Sequence, residues 1–222
     1  MFKHTILVAA VAGLVLALGG TAQASILVDV SPFNDAAGNW NIIKVSGWPF
    51  PSGNPLIANL IGSDGILTGA ALITSSDGDT GKETSTASAA DITSPSGLIH
   101  PTNATYDSAF VDGGLITLKI TGLSAPGYNV YLLSRTASSK VWDVDFNVNS
   151  LGVQWIASAN NTTFVTYANV VPIAGAITIT AASHNGGPGV LNSFELEAIP
   201  EPATLALLGL GGLGLIQGRK RK

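Results

Sequence analysis

The sequence predicts an all-β protein, an antiparallel β-sandwich set between two apolar ends. Three observations carry that prediction. Short runs with period-two alternation recur about every ten residues, the spacing of strands in a sandwich or barrel. The segments between them are rich in Gly, Asn and Pro, and the 222-residue chain holds 26 glycines. No stretch of the interior keeps the 3.6-residue period of an amphipathic helix. The chain has no cysteine, so disulfides, thiolate chemistry and Cys-metal sites are excluded. Stability must come from the core, for which about 175 residues are enough.

Taken in order, Ile26–Val30 reads as a first strand, ended by Ser31-Pro32, and Trp40–Val45 as a second. Residues 47–55 hold three prolines and two glycines and read as a loop that displays Trp48 and Phe50. Leu56–Ile61 and Ile66–Thr74 read as strands around the turn Gly62-Ser63-Asp64-Gly65. Ser75–Ser96 is polar and reads as a surface loop. Beyond Leu98 the alternation sharpens. Leu115–Ile120, Tyr128–Ser134, Val141–Val148, Gln154–Ala157, Thr162–Val165, Ala176–Ala182 and Phe194–Ile199 follow as strands.

Several pieces of this body resemble the galactose-binding-like jelly rolls of surface proteins: Val28-Asp29-Val30 with Trp40-Asn41, Asp107-Ser108, Leu115–Leu123 leading into Tyr128–Arg135, and Gly189–Leu196. A fibronectin-like sandwich is the competing fold.

The ends carry targeting signals. Lys3 and His4 precede an apolar run from Ile6 to Leu18, and Ala22-Gln23-Ala24 supplies a small-x-small cleavage site. That is the pattern of a signal peptide over residues 1–24, giving Ser25 as the mature start and residues 25–198 as the sandwich domain. At the other end, Pro200-Glu201-Pro202 precedes fourteen uncharged residues, Ala203–Ile216, and then Arg219, Lys220, Arg221 and Lys222. A helix of that length spans about 21 Å against a hydrocarbon core of about 30 Å, so the segment (203–218 with Gln217 and Gly218) is a marginal anchor. The basic end is retained on the cytoplasmic side, which places the body on the other. The two prolines keep Glu201 extended and open to a processing enzyme.

Residues 199–222 resemble the PEP-CTERM sorting tail, with Pro200–Pro202 as the motif, Ala203–Ile216 as the short span and Arg219–Lys222 as the basic end. The resemblance implies recognition by an exosortase, a membrane-embedded cysteine protease-transpeptidase. It would cut near Pro200–Pro202 and pass the body to the surface of a Gram-negative bacterium that makes exopolysaccharide.

The body between these ends carries five basic and thirteen acidic residues, a net charge of −8. That balance argues against nucleic acid or an anionic membrane as partner. No HExxH, GxSxG, P-loop or dinucleotide motif is present. Asp143 and Asp145 read as a solvated strand face rather than a hydrolytic carboxylate pair. Asp77 and Asp79 imitate the start of a calcium loop, but Gly81 and Ser88 stand where its later ligands belong. A structural calcium there is the one cofactor the sequence suggests. Asn103, Asn160 and Asn161 satisfy the N-x-Ser/Thr triplet, frequent by chance in so Thr- and Asn-rich a chain.

Sugar binding needs a flat ring to stack on a pyranose and polar groups for its hydroxyls. Trp48 is the expected platform, with Arg135 and His184 as polar contacts, while Trp40, Trp142 and Trp155 are assigned to the core. The sequence therefore predicts an exported, non-catalytic protein, held transiently at the inner membrane by its tail and then delivered to the cell surface. Exopolysaccharide is the expected ligand, and a polysaccharide hydrolase or a purely structural surface protein are the alternatives.

Overall fold

Strand residues of alternating polarity bury one face only when a second sheet covers it, and here two sheets do so. The computed structural model describes residues 24–200 apart from 34, 84–87, 89, 138 and 185. The first sheet has the order β11-β8-β14-β1-β2 and the second β10-β9-β12-β7-β4-β3, with β13 pairing β7. In the first sheet the strands are β1 (Ile26–Ser31), β2 (Asn41–Lys44), β8 (Gly127–Leu133), β11 (Phe164–Val170) and β14 (Ser193–Ile199). In the second they are β3 (Gly53–Ile57), β4 (Ala71–Lys82), β7 (Ala109–Thr121), β9 (Val144–Val148), β10 (Val153–Ile156), β12 (Ala176–Ser183) and β13 (Gly189–Leu191). A small hairpin of β5 (Ile92–Thr93) and β6 (Ile99–His100) leads into one helical turn, α1 (Thr102–Tyr106).

The expected sandwich is present, with some strand bounds moved (β7 begins at Ala109 and not Leu115, β9 at Val144 and not Val141, and β11 runs on to Val170) and four larger departures. β1 and β2 are parallel, not antiparallel: Val28 stands beside Asn41 and Ser31 beside Lys44. The loop between them is pinned by buried carboxylates, Asp29 accepting from the Ala36 amide and Asp107 from that of Phe33. Second, Gly53–Pro55 belongs to β3 instead of the loop before it. Third, Leu56–Ile61 and Ile66–Thr74 are strands only at Leu56–Ile57 and from Ala71, joined by a bridge between Ile61 and Leu67. Fourth, the polar stretch read as a loop from Ser75 is strand as far as Lys82, because pairing with β7 continues to Ala109. Glycines permit that pairing. Gly78 has φ +62° and lies against Gly114, where an added Cβ has no room.

The core lies between the sheets, with Tyr128, Phe146, Phe194, Leu118, Ile120 and Leu132 fully buried. Tyr167 crosses it from β11, its hydroxyl 2.6 Å from the Phe146 carbonyl. The outer face of the first sheet is covered by the segment holding β5, β6 and α1, where Leu27, Trp40, Ala36 and Ala104 form a second apolar cluster. Beneath that cover Glu195 accepts from Ser94 (2.7 Å), and His100 Nδ1 lies 2.9 Å from Ser193 Oγ. Ser193, His100 and Glu195 are each 0% exposed, with His100 Nε2 3.5 Å from Glu195 Oε2, so this polar cluster faces no solvent.

β1 and β14 are neighbours in the first sheet, with Ile26 opposite Leu196. Ala24 and Pro200 bound the described body. The remainder of the segment expected to be a signal peptide, with Ala22, and the tail with Glu201, Pro202, Arg219, Lys220, Arg221 and Lys222, lie outside the described residues. Among the described residues no helix is long and apolar enough to cross a membrane.

Candidate functional site

The outer face of the second sheet carries the site. On β9, Val144, Phe146 and Val148 point into the core, which turns Asp145 and Asn147 outward. The turn after β9 places Asn149 at φ +47° and Ser150 at φ +60°, left-handed conformations that Asn tolerates. It returns the chain as β10, with Trp155 opposite Asp145 and Val153 opposite Asn147. On the other side of β9, β12 sets Ala182 opposite Asp145 and Thr180 opposite Asn147. β7 then sets Lys119 opposite Thr178.

His184 follows directly on β12. Its amide donates to the Asp143 carbonyl at 3.1 Å, which fixes the ring beside β9. Nδ1 lies 2.7 Å from Asp145 Oδ1, and the imidazole is stacked on the Trp155 indole, centres 4.7 Å apart and planes 11° apart. Trp155 is still 57% exposed. The result is an aromatic plate held from behind by a carboxylate-anchored imidazole. Next to it a cleft of 330 Å³ is lined by Lys119, Asn147, Asn149, Ser150, Thr178 and Thr180. Asn149 is fully engaged, donating to the Val171 carbonyl and accepting from the Thr178 amide. Asn147 Oδ1 is buried without a hydrogen-bond partner. Exposed Leu151, Val153 and Ile173 complete this edge.

The residues expected to form the site are not gathered there. His184 alone is in it. Trp48 is 58% exposed, but it packs on Phe110 (4.5 Å) near the far end of β7, over Gly81. Phe50, expected beside it on the loop surface, is fully buried in the core. Arg135 is buried too: its guanidinium donates to the carbonyls of Asn161 and Ser88, so it ties loops together and presents nothing to a surface ligand. Trp40 is buried as expected, Trp142 is half-buried with the Lys140 ammonium 4.3 Å from its ring centre, and Trp155 is outside the core altogether. Asp77 and Asp79 sit on β4, not in a loop. Asp77 accepts from the Leu115 amide and Asp79 faces Asp112, as strand pairing dictates. Among the described residues no group of three or more His, Cys, Asp or Glu side chains is placed to hold a metal ion.

Trp155 was legible in principle. The Asn149–Gly152 turn predicts a hairpin whose register puts Trp155 across from Asp145, on the outward face. Ring size alone had assigned it to the interior.

Comparison with known proteins gives one family match and a set of structural likenesses. No curated protein matches the chain. The CBM36-1 domain of a multidomain xylanase from the hindgut metagenome of Trinervitermes trinervoides aligns with 57% of this chain and 100% of its own, at 11% identity and a TM-score of 0.34. TmCBM61 in complex with β-1,4-galactotriose aligns over 58% of this chain and 88% of its own, at 15% identity and a TM-score of 0.32. An exo-β-1,3-galactanase from Phanerochaete chrysosporium aligns over 50% of this chain but only 26% of its own, at 14% identity and a TM-score of 0.30. At the C-terminus, residues 198–222 match the family model of the PEP-CTERM protein-sorting motif. This chain is therefore a β-sandwich body that carries a PEP-CTERM sorting motif behind its last strand.

Proposed function

We propose that this protein is exported, held briefly at the inner membrane by the segment after Pro202, and released to the cell surface by an exosortase acting near Pro200–Pro202. At the surface its body, a jelly roll of the galactose-binding-like kind, binds polysaccharide without cleaving it. The sorting half of this reading is supported by the motif match over residues 198–222. The binding half rests on one observation: Trp155, 57% exposed, is stacked on a His184 anchored to Asp145, beside a polar cleft.

The chemistry suits a sugar. A pyranose presents an apolar C–H face and a rim of hydroxyls, and an indole plate beside amide and hydroxyl groups meets both. Holding the ring in advance removes part of the rotamer entropy that binding otherwise consumes. Glycan-array screening of the protein tests this reading: retention on polysaccharide that is lost in Trp155→Ala supports it, and unchanged retention in that variant refutes it. Turnover of a retained glycan points instead to the hydrolase, and no retention at all to a structural surface protein.

A further inference from the structure

The cleft beside Trp155 has an unusual charge for this protein. The body is strongly acidic, yet the cleft lining includes a lysine and no carboxylate. The other four basic side chains of the body are engaged: Lys44 with Asp35, Lys82 over the Phe33 ring, Lys140 over Trp142, and Arg135 on backbone carbonyls. Among the described residues Lys119 is the one basic side chain without a partner, and it is exposed in the cleft. The nearest acidic position in its own strand pair is Asp77, opposite Leu115, four residues along β7. That is about 13 Å of strand, beyond a screening length of about 8 Å at physiological salt. A carboxylate brought to Lys119 thus meets its ammonium with little opposition from the distant acids.

On this basis, and resting on the glycan-binding reading above, we infer that the cleft is a subsite for an acidic sugar: the polysaccharide lies across β10, β9, β12 and β7, with a neutral ring on Trp155 and a carboxylate-bearing residue at Lys119. Asn147 Oδ1, buried and unpartnered, accepts a hydroxyl of that residue. Trp155 is level with Asp145, Ala182 and Leu115, so the path to Lys119 crosses three strand spacings of 4.7–4.9 Å and runs four residues along β7, about 19 Å in all, which requires an oligomer and not a single sugar. The acidic body still disfavours densely charged chains, so the ligand carries its carboxylates sparsely.

The test uses the full chain in detergent micelles, with gellan and xanthan oligomers, whose carboxylates are spaced among neutral sugars, and their carboxyl-reduced counterparts as probes. The acidic form of at least one is expected to bind about tenfold tighter than its reduced form. That preference is expected to shrink with added salt, vanish in Lys119→Met and persist in Lys119→Arg. Equal binding of acidic and reduced forms, or an undiminished preference in Lys119→Met, overturns the acidic subsite. Binding that needs Trp155 but ignores Lys119 overturns it while leaving the platform reading intact, and no binding of any probe overturns both.

Discussion

The indole of Trp155 and the imidazole of His184 lie in parallel planes 11° apart, although one belongs to the edge strand β10 and the other follows β12. The strand between them supplies Asp145, which faces Trp155 across the ladder and holds His184 through Nδ1. Three strands are thus combined to fix one exposed ring. Removing that ring should affect binding and leave the fold nearly untouched. Trp155→Ala is expected to weaken glycan binding about tenfold or more while the urea midpoint stays put, because the residue is outside the core. His184→Ala should show a smaller loss, within the roughly 0.5–1.5 kcal/mol of an aromatic pair. Affinity electrophoresis together with denaturant titration checks both halves.

Phe50 and Trp48 offer the converse experiment. Phe50 is fully buried, so Phe50→Ala should destabilise the body by about 3–5 kcal/mol. Trp48→Ala, which loses the contacts with Phe110 and Gly81 and half-exposed surface, should cost less than about 2 kcal/mol. Equal losses in urea unfolding would contradict the placement of these two rings.

Two buried carboxylates should bend the pH profile of stability in opposite senses. Burial pushes the Asp29 carboxyl up to about 8 against the opposing amide of Ala36, with Asp107 nearby adding to the rise. Its folded form keeps a proton that the unfolded chain gives up near pH 4, so its contribution is whole below about pH 4 and is lost as pH climbs through about 8. At Glu195 burial also acts upward, but hydrogen bonds from His100, Ser96, Ser94 and Ser25 outweigh it and hold the carboxyl below its usual value. Its contribution is present above about pH 4.5 and lost as pH falls through the folded value. Asp29→Asn should flatten the alkaline decline and Glu195→Gln the acidic one, in urea midpoints measured from about pH 3 to pH 9.

Replacing Pro200, Glu201 and Pro202 by alanine should leave the chain uncut and membrane-associated. Fractionation and intact-mass measurement would show this; normal release of a shortened body from the triple variant would refute the sorting role.

Much of this molecule could be read from pattern, and the failures share a cause. β9 and β14 announce themselves because Val144, Phe146 and Val148, or Phe194, Leu196 and Ala198, alternate with polar residues on strands covered by a second sheet. Ser75–Lys82 does not, because its strand conformation comes from β7, more than twenty-five residues later, and from glycines that admit close approach. The buried polar layer is further from view still: Ser94 and Glu195 meet across 101 residues, and neither has a local signature. Phe50 was expected at the surface because its Pro- and Gly-rich segment reads as a loop, and Trp155 in the core because ring size was weighed without register. Arg135, at a strand end where an exposed contact was expected, is drawn inward by carbonyls that only the tertiary fold supplies.

The adjacency of Ile26 and Leu196 has a practical corollary for anyone handling this protein. On the proposed reading, leader removal and tail cleavage take place at the same pole of the body, a few residues apart in space. A short bridge from residue 25 to residue 199 should therefore tolerate new ends opened in a turn away from the cleft, such as residues 124–126, yielding a permuted body freed of both original ends.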